Sequence, residues 1–138
     1  MDINSLIDIA FDAREQSYSP YSDFRVGAAL LCGSGNIYTG CNVENASYGA
    51  GICAERTAAV KAVSAGEREF TAIAVVGFPK DAAPDDAGFA YPCGICRQFL
   101  REFAAPGMQV VVARTKEDIL NTTLEALLPH SFGPEDLL

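Results

Sequence analysis

The chain has 138 residues, 49% of them apolar and 20% charged, which suits one globular domain over 1–138 with a full core. A formal charge of −8 with no run of Lys or Arg argues against a polynucleotide or membrane-surface partner, but not against a neutral small molecule such as a free nucleoside. No apolar run approaches a membrane span, and the acidic, amphipathic start "MDINSLIDIA" lacks the basic-then-apolar order of a secretory signal, so the expectation is a soluble, cytoplasmic protein.

Ile3, Leu6, Ile7, Ala10 and Phe11 fall at helical spacing and predict an amphipathic helix over 3–17. "YSPYSDF" (18–24) is a polar, aromatic, proline-broken loop. "RVGAALLC" (25–32) and "IYTGC" (37–41) flank the turn "GSGN" and predict a hairpin. "NVENASYGAG" (42–51) has no period and reads as a loop of the kind that carries function. A helix over 52–65 stops at Gly66, and "FTAIAVVGF" (70–78) is apolar enough for a central strand. "PKDAAPDDAGFA" (79–90) is a surface loop expected to be mobile. It is followed by a helix over 93–104, a buried strand over 108–114, a short helix over 123–129 and a tail. The order α-β-β-α-β-α-β-α, with a right-handed parallel crossover over 70–114, predicts a three-layer α/β domain with a mixed central sheet.

Five cysteines without a signal argue against a disulfide framework. Cys32 and Cys41 read as small buried hydrophobes. Cys53, in "ICAERTAAV", and Cys93 and Cys96, in "YPCGICRQFL", all stand at predicted helix starts. Partial positive charge and free N–H groups at a helix start favour thiolate. Cys93 and Cys96, at i and i+3, share a helical face and can reach one ion.

Three such ligands predict an open zinc site, with water or hydroxide as the fourth ligand, because the lone His130 lies in the tail and nothing links it to the cysteines. Glu55, two residues after Cys53, is placed to shuttle its proton. Three thiolates and Zn²⁺ sum to −1, and one or both of Arg56 and Arg97, each directly after a site residue, are proposed to hydrogen-bond the sulfurs and draw off that charge. Two other readings stay open. A closed structural zinc staple would recruit Cys41 as fourth ligand, and a redox CxxC would form a Cys93–Cys96 disulfide without metal.

Together "CAE" and "PCGICRQ" resemble the signature of zinc nucleoside and nucleobase deaminases in an all-cysteine form. With "YSPYSDFRVGAAL", "GCNVENASYG" and "LLPHSFGPEDL" in the same order, nearly the whole chain resembles the cytidine deaminases of the small homotetrameric type. The 79–90 stretch is longer than is usual there. The resemblance implies a three-layer α/β/α cytidine-deaminase-like fold and one Zn²⁺ per chain on Cys53, Cys93 and Cys96. It implies hydrolytic deamination of cytidine or 2′-deoxycytidine, as in pyrimidine salvage, with Glu55 protonating the ring and helping to expel ammonia. It further implies that Asn42 and Glu44 bind the ribose 3′-hydroxyl, that Phe24 packs on the base, and that the Ala54 N–H meets the cytosine carbonyl. Tyr48 and Phe132 would complete a neighbouring chain's pocket in a homotetramer. A modified or antibiotic nucleoside is the rival substrate on the same zinc core. Polynucleotide editing is disfavoured by the acidic charge. Glu44 and the net charge predict weak or no activity on CMP and dCMP.

Overall fold

Residues at alternate positions of a strand point to opposite faces, so a strand that is apolar at every position needs cover on both sides. The computed structural model, which describes residues 2–84 and 88–138, provides that cover. Its elements are α1 (Ile3–Arg14), β1 (Phe24–Cys32), β2 (Ile37–Cys41), α2 (Ala54–Ser64), β3 (Phe70–Pro79), α3 (Gly94–Arg101), β4 (Ala104–Ala113), β5 (Ile119–Thr123) and α4 (Leu124–Leu127). The strands form one sheet in the order β2-β1-β3-β4-β5. Leu6, Ile7 and Ala10 of α1 pack with Ala29, Ala74, Val76 and Val111 on one face. Ala58 and Ala62 of α2, Leu100 of α3 and Leu124 of α4 pack with Leu30, Ile73, Val75 and Val110 on the other. This is the expected three-layer arrangement.

Strand direction fixes where the site must lie. β1 is antiparallel to both β2 and β3, so β2 and β3 run the same way, and β4 is parallel to β3. α2 carries the chain from β2 to β3, and α3 carries it from β3 to β4, and both lie on the same face. A crossover helix begins beyond the carboxyl end of the strand before it. The starts of α2 and α3 therefore fall at one edge of the sheet, where β2 and β3 end and β1 begins.

Two glycines permit this packing. A Cβ on Gly40 of β2 would lie 2.3 Å from the Ala54 carbonyl oxygen and 2.5 Å from the Ala58 nitrogen. A Cβ on Gly27 of β1 would lie 2.1 Å from the Ala10 carbonyl oxygen. Backbone cannot retreat as a flexible side-chain tip can, so α2 must lift off the sheet to admit a methyl group. Gly40→Ala is expected to lower unfolding free energy by about 1–3 kcal/mol in urea titrations, the range for overpacking a close contact.

The structure departs from the sequence expectations at several ends. α1 stops at Arg14 rather than 17, because the next residues are drawn toward the 42–51 loop. The Tyr18 N–H donates to the Asn42 carbonyl at 3.1 Å, and the Ser17 hydroxyl donates to the Asn42 side chain. α2 begins at Ala54 and ends at Ser64, inside the expected 52–65. α3 ends at Arg101, and β4 starts at Ala104 instead of 108. Its pairing with β3 shifts register between Phe70–Ala104 and Ala72–Gln109, across Pro106 and Gly107. β5 was not anticipated. It is a half-buried edge strand, antiparallel to β4, whose "ILNTT" has neither clean alternation nor an apolar run. The last helix is confined to Leu124–Leu127, where the Thr123 hydroxyl caps it by accepting the Ala126 N–H at 3.2 Å. The loop expected over 79–90 lies partly outside the described residues, at 85–87.

Candidate active site

Cys53 is the N-cap of α2 and Cys93 the N-cap of α3. Both have extended backbones, and neither sulfur is used for capping. That leaves both thiols free to turn toward each other across the sheet edge. Cys96 is two residues into α3, fully buried, on the face below Cys93. The Cys53 and Cys93 sulfurs are 3.9 Å apart, the Cys93 and Cys96 sulfurs 3.5 Å, and all three lie within 4.8 Å of one another.

Sulfurs about 2.3 Å from a tetrahedral zinc would stand about 3.8 Å apart, so the trio fits the ion. Among the described residues Cys53, Cys93 and Cys96 form the only such group, and neither Cys41 nor His130 belongs to it. Three donors could therefore hold a cation there, which would leave one tetrahedral position to a small molecule. The 3.5 Å separation of Cys93 and Cys96 is well beyond a bonded S–S distance of about 2.05 Å.

The electrostatics of the trio also suit a cation. The Cys53 thiol is lowered to about 5, first by the hydrogen bond with Cys96 and then by Arg56, whose Nη2 donates to the Cys53 sulfur at 3.6 Å. Cys96 is pushed strongly upward by the Cys53 interaction, by burial and by Glu55. One thiolate forms readily and the next resists, as like charges at this spacing must. A divalent cation removes that resistance.

Glu55, in the first turn of α2, is 4% exposed, and burial pushes its carboxyl up to about 7. No salt bridge offsets that burial among the described residues, and the side chain lines the cavity beside the sulfurs. That cavity, about 860 Å³, opens at the sheet edge, with Cys53, Cys93, Ala54, Glu55 and Arg56 on one side. Phe24, Asn42, Glu44 and Tyr48 line it too.

Asn42 is tied to β1. Its Nδ2 donates to the Phe24 carbonyl at 2.8 Å, and its Oδ1 accepts the Val26 N–H at 2.9 Å. The loop that follows closes on itself, because Val43 and Ile52 exchange both backbone hydrogen bonds at 2.9 Å. The stretch 42–51, aperiodic in sequence, is therefore a fixed rim rather than a loose arm.

One of the two candidate arginine contacts is not made. Arg97 does not meet the sulfurs: its Nε donates to the Pro92 carbonyl at 2.7 Å and its Nη1 to the Leu127 carbonyl at 2.8 Å, which ties α3 to α4. Only Arg56, of the two arginines, reaches a ligand sulfur. Tyr48 lies at the cavity rim, 83% exposed, its ring edge-on to Tyr21 at 6.4 Å. Phe132 lies outside this chain's own cavity and is 59% exposed. Sequence reading also passed over Ser22, Val26, Phe89 and Tyr91, which line the cavity. The polar and aromatic character of "YSPYSDF" and the closeness of Tyr91 to Cys93 were the available signals.

A three-thiol cation site with an open position, next to a buried carboxyl and a cavity of small-molecule size, defines a metal-dependent hydrolytic site. The profile of the cytidine and deoxycytidylate deaminase zinc-binding region matches residues 1–113. A cytidine deaminase of Sporosarcina psychrophila is 50% identical over 137 residues, 99% of this chain and 96% of that protein. One from Halalkalibacterium halodurans is 46% identical over 137 residues, 99% of this chain and 98% of that protein. The crystal structure of cytidine deaminase from Burkholderia pseudomallei superposes with a TM-score of 0.85 at 46% identity, covering 96% of this chain and 100% of that one. The chain belongs to the cytidine and deoxycytidylate deaminase zinc-binding family.

Proposed function

We propose that this chain hydrolyses cytidine and 2′-deoxycytidine to uridine and 2′-deoxyuridine, releasing ammonia, as a cytoplasmic enzyme of pyrimidine salvage. The observation that carries the reading is the convergence of Glu55, Cys53 and Cys93 on one cavity, with the buried Cys96 sulfur within 4.8 Å of the other two. Cys53, Cys93 and Cys96 would hold the zinc, which when bound would supply a Lewis acid for water activation near neutral pH. Glu55 receives the proton lost in that activation, delivers it to ring nitrogen N3, and then assists departure of the amino group. Arg56 offsets the negative charge of the thiolates through its bond to Cys53. The Ala54 N–H, at the first turn of α2, faces the base carbonyl. Phe24 packs on the ring, and Asn42 and Glu44 take the sugar hydroxyl.

The chain acts as a homotetramer in this reading, with Tyr48 and Phe132 reaching a neighbour's cavity. Their exposure supports it only in leaving both rings available to a neighbouring chain. Light scattering on the purified protein, together with Phe132→Ala, tests it: the variant is expected to raise KM or to dissociate the assembly.

Purified protein is expected to consume cytidine, followed by ultraviolet absorbance, with one zinc per chain in the same sample. No consumption by zinc-loaded protein would reject the reading. A phosphate brought near Glu44 in a chain of −8 meets like charge, so kcat/KM for dCMP is expected to fall below that for deoxycytidine by about tenfold or more. Equal rates on the two substrates would contradict the electrostatic argument.

A further inference from the structure

The loop "YSPYSDF" does more than connect α1 to β1. Three donors from it converge on the Glu44 carboxylate. The Tyr21 N–H reaches Oε1 at 3.0 Å, the Ser22 N–H reaches the same oxygen at 3.2 Å, and the Ser22 hydroxyl donates to Oε2. That hydroxyl oxygen also accepts the Phe24 N–H at 3.0 Å. The loop has anchors besides the Glu44 carboxylate: the Glu44 backbone N–H donates to the Tyr18 carbonyl at 2.8 Å, the Asp23 N–H to the Ser19 carbonyl at 2.9 Å and the Lys80 N–H to the Asp23 carbonyl at 2.7 Å. Glu44 has therefore been oriented by a fixed turn. A carboxylate offers about four lone-pair directions, and three are occupied here, two on Oε1 and one on Oε2. The remaining one, on Oε2, is the direction left for a single hydroxyl donor in the cavity.

We infer that Ser22 is a positioning residue for substrate binding, whose one hydroxyl couples the sugar-side carboxylate of Glu44 to the base-side wall at Phe24 and fixes the spacing between them. The inference rests on the reading above that Glu44 and Phe24 contact the nucleoside. Ser22 is exposed and touches neither the sulfurs nor Glu55, so its loss acts on binding and not on the chemical step. The hydrogen bond from Ser22 also holds the Glu44 carboxyl below its usual range, which keeps it an acceptor for a hydroxyl.

The test is a kinetic cycle on zinc-loaded, full-length protein with cytidine, comparing Ser22→Ala, Ser22→Thr, Glu44→Gln and the double variant Ser22→Ala/Glu44→Gln. Zinc content and Tm are measured on each. Ser22→Ala is expected to raise KM by about tenfold, the scale of a lost hydrogen bond to a charged group, with kcat within about twofold. Ser22→Thr, which keeps the hydroxyl, is expected to retain a KM near that of the parent. The double variant is expected to be less impaired than the product of the two single effects, because Ser22 and Glu44 share one contact. A Glu44→Gln protein with unchanged KM would overturn the sugar-side reading itself. If Glu44→Gln raises KM while Ser22→Ala does not, or if the two effects multiply independently, the Ser22 inference is overturned and the sugar-side reading stands. A Ser22→Ala protein that loses zinc or melts several degrees lower assigns Ser22 a purely structural role and also overturns it.

Discussion

Replacing Glu55 by Gln is expected to leave one zinc per chain in place and to cut turnover of cytidine by about 10²–10⁴-fold, the range contributed by a positioned proton carrier. Gln has nearly the volume of Glu and keeps a polar end, so the packing of a side chain that is 4% exposed is preserved. What is lost is the proton. Glu55 lies at the start of α2 on the cavity that Cys53 and Cys93 also line, and Gln neither accepts a proton nor returns one in the role proposed for it. The measurement is single-turnover kinetics with metal analysis on the same sample. A variant with normal zinc and undiminished kcat would remove Glu55 from the mechanism. KM is a useful second readout: a change in kcat with KM held marks an interaction made in the transition state rather than in binding.

The second large effect belongs to the sulfurs. Cys53→Ala is expected to reduce bound zinc to a small fraction of one per chain after dialysis, to abolish deamination and to lower stability. Because zinc binds the folded chain and the trio is not assembled in the unfolded one, binding free energy is folding free energy. With free zinc at about 1,000 times Kd, the linked loss is about 4 kcal/mol. Chelator-treated parent protein and Cys53→Ala should then unfold at nearly the same urea concentration, since Cys53 is only half-buried and its deletion opens little cavity. If the variant remains far less stable than the chelated parent, packing rather than metal is responsible. Cys41→Ala is the control. Cys41 ends β2 paired with Gly27 and lies outside the sulfur group, so the variant should keep its zinc. Loss of zinc there would favour a closed four-sulfur site.

Much of the fold is legible in the chain because burial imposes a readable pattern. "FTAIAVVGF" and "VVVA" are apolar at successive positions, which only a strand covered on both faces needs, and β3 and β4 are so covered. The heptad-like spacing of Leu6, Ile7 and Ala10 gives α1 its single buried face. β5 was illegible because an edge strand buries little, and Asn121, Thr122 and Thr123 serve a ladder with β4 rather than a core. The end of α1 was misplaced because Ser17 and Tyr18, acceptable in a helix, bond instead to Asn42, more than twenty residues away. Arg97 shows the same limit at the site. Its place next to Cys96 invited a contact with sulfur, yet helical geometry turns it toward the Pro92 and Leu127 carbonyls.

The sequence by itself determined the chemistry available to this protein: three thiols and a carboxyl, each at or just inside a helix start, where thiolate is favoured and the residue types suit a zinc-dependent hydrolysis. Only the tertiary structure decided that these groups meet. The two helix starts are separated by about forty residues, and they come together because β2 and β3 run in the same direction and deliver α2 and α3 to one edge of the sheet. The tertiary structure also decided which arginine reaches the sulfurs and which loop grips Glu44, because both depend on side-chain directions across elements that no local spacing encodes.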